Sequence, residues 1–322
     1  MINILKRIIR STLIGNYLIY KISSYLLLLK FYNDNSEPIN QEDRLIIYMA
    51  DGKKYHGGLT DRINGMVFLY KFCIDNNYKF KIFFNHPFKL DEYIIPNEYN
   101  WIIESDKMIY NKRYSEPICL INCDMKYQNL LINNINNTSK KQFHVYTNQR
   151  YNKIYHQNLF NILFKPTQKL HEALIKHLQN IGNNFISISY RFQNLLGDFP
   201  ERRSSALSVE KQEMLINRCL AVIPVIKRKH LNVKNILITS DSMKFRERAL
   251  FYNYVYIVPG IRIHTDIIVS DDKGGYLESF LDFYLIANAE KAYSAHSKIM
   301  YGGKFAKIAA EVNNKPYEEI NI

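Results

Sequence analysis

Cysteine is scarce. The 322 residues hold four, Cys73, Cys119, Cys123 and Cys219, too few for a fold built on disulfides. Cys119-x-x-x-Cys123 has no second Cys/His pair at zinc spacing, which argues against a structural zinc site. A reducing compartment suits this usage. Twelve glycines and nine prolines exclude a collagen-like or Pro-rich chain. Acids are also short: 30 Asp+Glu stand against 43 Lys+Arg, a formal net charge of +13. The imbalance is sharpest at the start, where residues 1–32 carry Lys6, Arg7, Arg10, Lys21 and Lys30 and no acid. No dense Lys/Arg block follows residue 40. Nucleic-acid binders concentrate their charge, so no nucleic-acid partner is expected. A diffuse positive surface suits phosphorylated small molecules or anionic lipid. Long uncharged runs are missing too. Lys21 divides the N-terminal apolar segment into Ser11–Tyr20 and Ile22–Leu29, each shorter than the roughly 18 residues a transmembrane helix needs. A secretory signal fits poorly, because a charge splits the apolar region and no A-x-A-like cleavage site follows.

What is present is a globular composition. Hydrophobic residues make up 47 %, with 25 Tyr and 18 Phe, enough for a large core and about two domains. Apolar residues recur at helical spacing from Ile4 to Leu29, with Lys and Arg largely between them. Residues 1–32 therefore read as one or two basic amphipathic helices. Such a segment suits a membrane interface with anionic head groups; packing on the protein's own core is the other reading. Residues 33–43 (NDNSEPINQED) read as a linker.

Two α/β series follow. In 44–165, a strand at Arg44–Ala50, a helix from Asp61 to Asn76 and a strand at Lys79–Phe84 form a βαβ unit. Further short strands are expected at 101–103, 118–121 and 143–146, and a surface loop at Asn133–Lys141. In 166–322, helices are expected at Thr167–Gln179, Glu210–Arg228, Phe245–Tyr252, Leu277–Asn288 and Ile299–Ala310. Strands are expected at Phe185–Tyr190, Asn235–Thr239, Tyr254–Val258 and Lys291–Ser294. The pattern predicts two doubly wound domains, in which ligands bind beyond the carboxyl ends of the strands.

Four segments lie at such ends. His56-Gly57-Gly58 precedes a helix, and Asp61 and Arg62 lie in its first turn. A glycine pair there allows close backbone approach to an anion, while Asp61 also suits a helix cap. Arg191 follows the Phe185–Tyr190 strand, with Asp198 and Glu201 on the loop beyond. Its planar fork suits a diphosphate, and either carboxylate suits a general base; the alternative is an Arg–Asp pair that orders the loop. Ser240-Asp241-Ser242 follows a strand and suits either a nucleotide or a helix cap, with Asp241 or Ser240 capping. Ser294 and Ser297 flank an expected helix start and suit a phosphate, while His296 suits a ligand contact and a surface position equally.

Taken in order, these segments resemble the GDP-fucose-dependent fucosyltransferase superfamily, which includes nodulation, core α1,6-, α1,2- and protein O-fucosyltransferases. The matching stretches are Gly57–Arg62, Ser189–Asp198, Thr239–Ser242 and Ser294–Ser297, within a likeness over about residues 45–310. Thr60 stands where the family has a third glycine, Tyr190 near its usual His, and Phe192 in place of its second Arg. The resemblance implies a GT-B-like pair of Rossmann-type domains facing a cleft, with GDP-sugar held mainly by the C-terminal one. It implies inverting transfer of fucose to a glycan hydroxyl, with no metal and no cofactor beyond the donor. Arg191 would grip the β-phosphate, Asp241 and its neighbours guanosine, and Ser294 and Ser297 phosphate oxygens. Gly57–Arg62 would face the diphosphate. Asp198, Glu201 and His56 are the candidate bases. Surface polysaccharide synthesis on a glycan or lipid-linked glycan, at the cytoplasmic face of the cell membrane, is the expected setting. The alternatives are another nucleotide-sugar donor, or a noncatalytic nucleotide- or glycan-binding protein at the membrane.

Overall fold

The computed structural model describes residues 13–34, 44–121, 128–150, 156–199, 205–262 and 274–322. Glu201 and Cys123, and the first part of the N-terminal segment, lie outside the described residues. The chain divides into two compact units, Met1–Lys165 and Pro166–Ile322.

The first unit opens with helix α1 (Leu13–Phe31), then β1 (Leu45–Ala50), α2 (Leu59–Asp75), β2 (Lys79–Phe84), β3 (Ile94–Pro96) and β4 (Ser115–Cys119). Next come α3 (Gln128–Asn136), β5 (Gln142–Tyr146), α4 (His156–Leu163) and β6 (Phe164–Pro166), whose last residue opens the second unit. Four strands form a parallel sheet in the order β2-β1-β5-β4. Buried residues run almost unbroken along β1 and β5, as expected of strands covered on both faces. The Asn-rich stretch expected as a loop is half helix: α3 ends at Asn136. Leu131 and Ile135, four residues apart, are both fully buried, so packing overrides weak intrinsic propensity.

Close approach of α2 to β5 rests on Gly65. A Cβ there would fall 2.1 Å from the Thr147 carbonyl oxygen, which is backbone and cannot turn away. Gly65→Ala is therefore expected to cost about 1–3 kcal/mol. In a unit of this size that is roughly 2–12 °C of melting temperature, read by calorimetry; an unchanged melting temperature would contradict the packing.

The second unit contains α5 (Gln168–Ile181), β7 (Phe185–Tyr190), α6 (Val209–Lys229), β8 (Asn235–Ser240), α7 (Met243–Ala249), β9 (Val255–Tyr256), α8 (Gly274–Asn288), β10 (Ala292–His296), α9 (Phe305–Val312) and β11 (Tyr317–Asn321). Its five strands are parallel, in the order β11-β10-β7-β8-β9. Ile186, Ile188 and Tyr190 on β7, with Ile236 and Ile238 on β8, form one core with Leu215, Cys219, Ile223 and Ile226 of α6. Alternate strand residues point the other way, toward the side where α8 contacts both α5 and α9. The sheet is thus doubly wound.

Three expectations are corrected here. The last helix starts at Phe305, not near Ser297, and β10 extends through His296. Gly302 and Gly303 lie in the connecting stretch and disfavour helix there. Strand β9 is only two residues long, and the C-terminal strand β11 had no counterpart in the sequence reading. Its exposed Glu318 and Glu319 are typical of an edge strand.

Candidate functional site

Each sheet has one point where the strand order reverses, and ligands of such sheets bind at these points. In the second unit the chain leaves β7 toward β8 and β9, and later returns on the other side with β10 and β11. The reversal lies between β7 and β10. Register places Tyr190 beside Ala295 and beside Ser240, so Arg191, His296 and Asp241 emerge side by side.

Arg191 is the centre of this group. Its Nη1 lies 3.2 Å from Asp241 Oδ2, and its side chain is 29 % exposed against 3 % for Asp241. Its guanidinium stacks over the Phe199 ring at 5.1 Å. Asp241 accepts the N–H groups of Phe192 (2.9 Å) and Gln193 (2.8 Å). Burial raises its pKa, and Arg191 and the two N–H groups pull it back. Gln193 has φ of +54°, a left-handed conformation that costs about 1–2 kcal/mol outside glycine. Asp241 thus fixes both the strained turn and the guanidinium, and is spent on the chain's own groups.

Asp198 sits elsewhere in the loop. Its Oδ2 accepts the Ser242 hydroxyl (2.8 Å) and the Lys244 N–H (2.9 Å), tying the loop to the start of α7. The carboxylate that meets Arg191 is Asp241. The cap of α7 is Ser242, neither Ser240 nor Asp241: its Oγ accepts the Phe245 N–H, and it is fully buried. Ser240 Oγ accepts the Ser242 N–H at 3.1 Å. Two of the three departures from the pattern of the resemblance, Tyr190 and Phe192, are core residues. Tyr190 donates its hydroxyl to the Cys219 carbonyl at 3.1 Å, and Phe192 is fully buried against Phe245.

On the β10 side, Ser294 and Ser297 are 7 % and 6 % exposed. Ser297 Oγ and His296 Nδ1 are buried with no hydrogen-bond partner among the described residues. Buried polar atoms are rarely left unmatched, and each orphan calls for an explanation. Gly302 borders the His296 ring, and Gly303 borders the Arg191 side chain. The glycine pair therefore lies against both groups, a role that the sequence reading did not assign.

The first unit reverses between β1 and β5. Gly57 has φ of +95°, and a Cβ there would fall 2.3 Å from Asp61 Oδ2. Only glycine lets Asp61 fold back and accept the Gly58 N–H (3.2 Å) at the start of α2. Gly58 is therefore the capping residue of α2, and Asp61, in the third helical position, closes a capping box on its N–H. Arg62 is buried; its Nε donates to the Gly57 carbonyl and its Nη1 to the His86 carbonyl. His56 is buried between Tyr48 and Tyr146. Burial, helped by the Arg62 charge, holds its pKa down to about 3, so the imidazole is neutral at physiological pH.

Sequence reading overlooked a second polar group here. Asp51 follows β1 directly, and its carboxylate accepts Lys53 Nζ (2.6 Å) and the Tyr146 hydroxyl (3.0 Å). Lys53 Nζ stands 4.3 Å over the Tyr110 ring. An acid immediately after a strand was the available signal. Among the described residues, no group of three His, Cys, Asp or Glu side chains is placed to hold a metal ion.

No family model matches the sequence, and no curated protein sequence matches it. Solved structures do. The chain is similar to the NodZ alpha-1,6-fucosyltransferase soaked with GDP-fucose, with a TM-score of 0.54 at 12 % identity, over 84 % of this chain and 93 % of that one. It is similar to the fucosyltransferase NodZ from Bradyrhizobium, with a TM-score of 0.52 at 12 % identity over 84 % and 92 % of the two chains. It is also similar to the POFUT1 apo-form, with a TM-score of 0.51 at 10 % identity over 89 % and 100 %. At these identities the likeness shows the fold: a GT-B-like α/β architecture shared with fucosyltransferases.

Proposed function

We propose that the protein is a glycosyltransferase that moves fucose from GDP-fucose to a glycan hydroxyl, with inversion and without a metal. The observation that carries this reading is the group at the β7–β10 reversal: Arg191 held by buried Asp241, beside the unmatched His296 Nδ1 and Ser297 Oγ. A diphosphate offers acceptor oxygens to all three. Further support comes from NodZ structures of the same fold, one soaked with GDP-fucose and one co-crystallised with GDP.

In the proposed reaction the acceptor oxygen attacks the anomeric carbon from the face opposite the nucleotide. The bond from that carbon to the β-phosphate oxygen breaks, and its electron pair leaves with GDP. The acceptor proton passes to a base or to solvent. Arg191 meets the charge that develops on the diphosphate, where preorganised donors have their largest effect. Asp241 acts through Arg191 as a positioning residue. Ser294, Ser297 and His296 bind phosphate oxygens. Asp198, with one oxygen bound at the start of α7 and Oδ1 unmatched, and His56, neutral with Nε2 unmatched among the described residues, are the described candidates for the base. Asp61 and Arg62 act by shaping the loop that carries Gly57 and Gly58.

Nucleotide release tests this reading. The protein is mixed with GDP-fucose, GDP-mannose, UDP-galactose and CMP-sialic acid, with EDTA present and a glycan-rich membrane extract as acceptor. Release of GDP from GDP-fucose above all others, undiminished by EDTA, is expected. Preferential release of UDP or CMP would move the donor; dependence on added metal would overturn the metal-free mechanism.

A further inference from the structure

Helix α1 is apolar on two opposite sides. Tyr20 and Leu27 are buried, and Leu27 joins the core with Ile47, Met49 and Tyr146. Ser24 Oγ accepts the Cys119 N–H at 3.0 Å, which fixes that side on β4. On the far side Leu18, Ile22, Tyr25, Leu26 and Leu29 are 50–58 % exposed. At 3.6 residues per turn these five fall within roughly 100° of the circumference. A helix that is hydrophobic all round normally lies buried, yet this half of α1 meets solvent. Of the segment 1–32 expected as amphipathic, the described helix α1 is apolar on both sides, and one of them packs on the protein.

We propose that this outer face inserts into the interfacial layer of an anionic membrane. Charge selects the partner. Lys21 and Lys30 lie just outside the apolar arc, one along each edge; both are exposed, with Lys21 Nζ donating to Asn134 Oδ1 at 3.1 Å and Lys30 Nζ 5.2 Å over the Phe31 ring, and long cationic side chains so placed can turn to head groups while the apolar face inserts. Lys6, Arg7 and Arg10 precede the helix in the chain, and residues 1–32 hold no acid. Two copies meeting through this face would bring like charges together, whereas anionic lipid neutralises them. Tyr17 and Tyr25, 39 % and 58 % exposed, belong to a residue type enriched at head-group level. Among the described residues no helix is long and apolar enough to cross a membrane, so α1 lies along the surface. The inference stands on α1 alone and does not depend on the catalytic reading.

Vesicle flotation of the full chain tests it. Binding to phosphatidylcholine vesicles containing 30 % phosphatidylglycerol is expected, with little binding to pure phosphatidylcholine and a fall as salt rises. Ile22→Glu with Leu26→Glu should lower binding more than tenfold while the melting temperature holds, because both side chains are exposed. Lys21→Gln with Lys30→Gln should weaken binding severalfold without touching the apolar face. No flotation of the native chain, or equal flotation by the Glu pair, would overturn the proposal. A concentration-dependent dimer that the Glu pair abolishes, with no vesicle binding, would instead assign the face to a second copy.

Discussion

Arg191→Ala should lower kcat/KM for fucosyl transfer by roughly 10²–10³-fold, the usual effect of removing one preorganised donor to developing charge. Little of this should come from unfolding. The Arg191 side chain is 29 % exposed, and Asp241 keeps the Phe192 and Gln193 N–H groups when the guanidinium is gone. Arg191→Lys keeps the charge and loses the planar fork that matches two phosphate oxygens, so it should fall between the two. Asp241→Asn gives the contrast. It keeps Arg191 but removes the carboxylate charge that positions it, and should reduce kcat more than it raises KM, as expected of a misplaced donor rather than a missing one. Transfer intact in Arg191→Ala would remove the role assigned to this residue.

Acid should destabilise the first unit well above the pH at which carboxylates titrate. His144 is fully buried, hydrogen-bonded to the Tyr32 hydroxyl and Gln142 Oε1. Burial, aided by the Lys53 charge, holds its pKa to about 3, and His56 lies at about 3 as well. In the unfolded chain both titrate near 6.5. Between those values the unfolded state binds the protons and the folded state does not. Stability from these groups is therefore complete above about pH 6.5 and falls as the pH drops toward 3. At pH 5 each histidine should cost about 2 kcal/mol. For both together the melting temperature should fall by roughly 8–16 °C between pH 7 and pH 5. His144→Gln, although less stable at neutral pH, should show about half that fall. A variant with the full pH dependence would contradict the assignment.

Strong periodic segments were legible in the sequence. Phe185–Tyr190 alternates apolar and polar residues and is β7; Ile63, Met66, Val67 and Tyr70 mark the buried side of α2. The ordered segments Gly57–Arg62, Ser189–Asp198, Thr239–Ser242 and Ser294–Ser297 were found because strand ends carry sites in this class of sheet. Partners were not legible. Whether Arg191 meets Asp198 or Asp241 depends on the register of β7 against β8, which a loop sequence does not encode. Asp241 looks like a cap by type, but its engagement with Arg191 leaves the cap to Ser242. Asn-rich α3 was hidden because its helix depends on burying Leu131 and Ile135. For α1, spacing distinguished helix from strand but could not show that its two apolar sides meet different surroundings.

On the proposed reading, the β7–β10 reversal binds a guanosine diphosphate. Isothermal titration of GDP into the full chain in EDTA addresses it most directly. Saturable binding is expected, stronger than for UDP or CDP, and weakened at least tenfold by Ser297→Ala combined with Arg191→Ala. Absence of binding at millimolar GDP, or equal binding by that double variant, would contradict it.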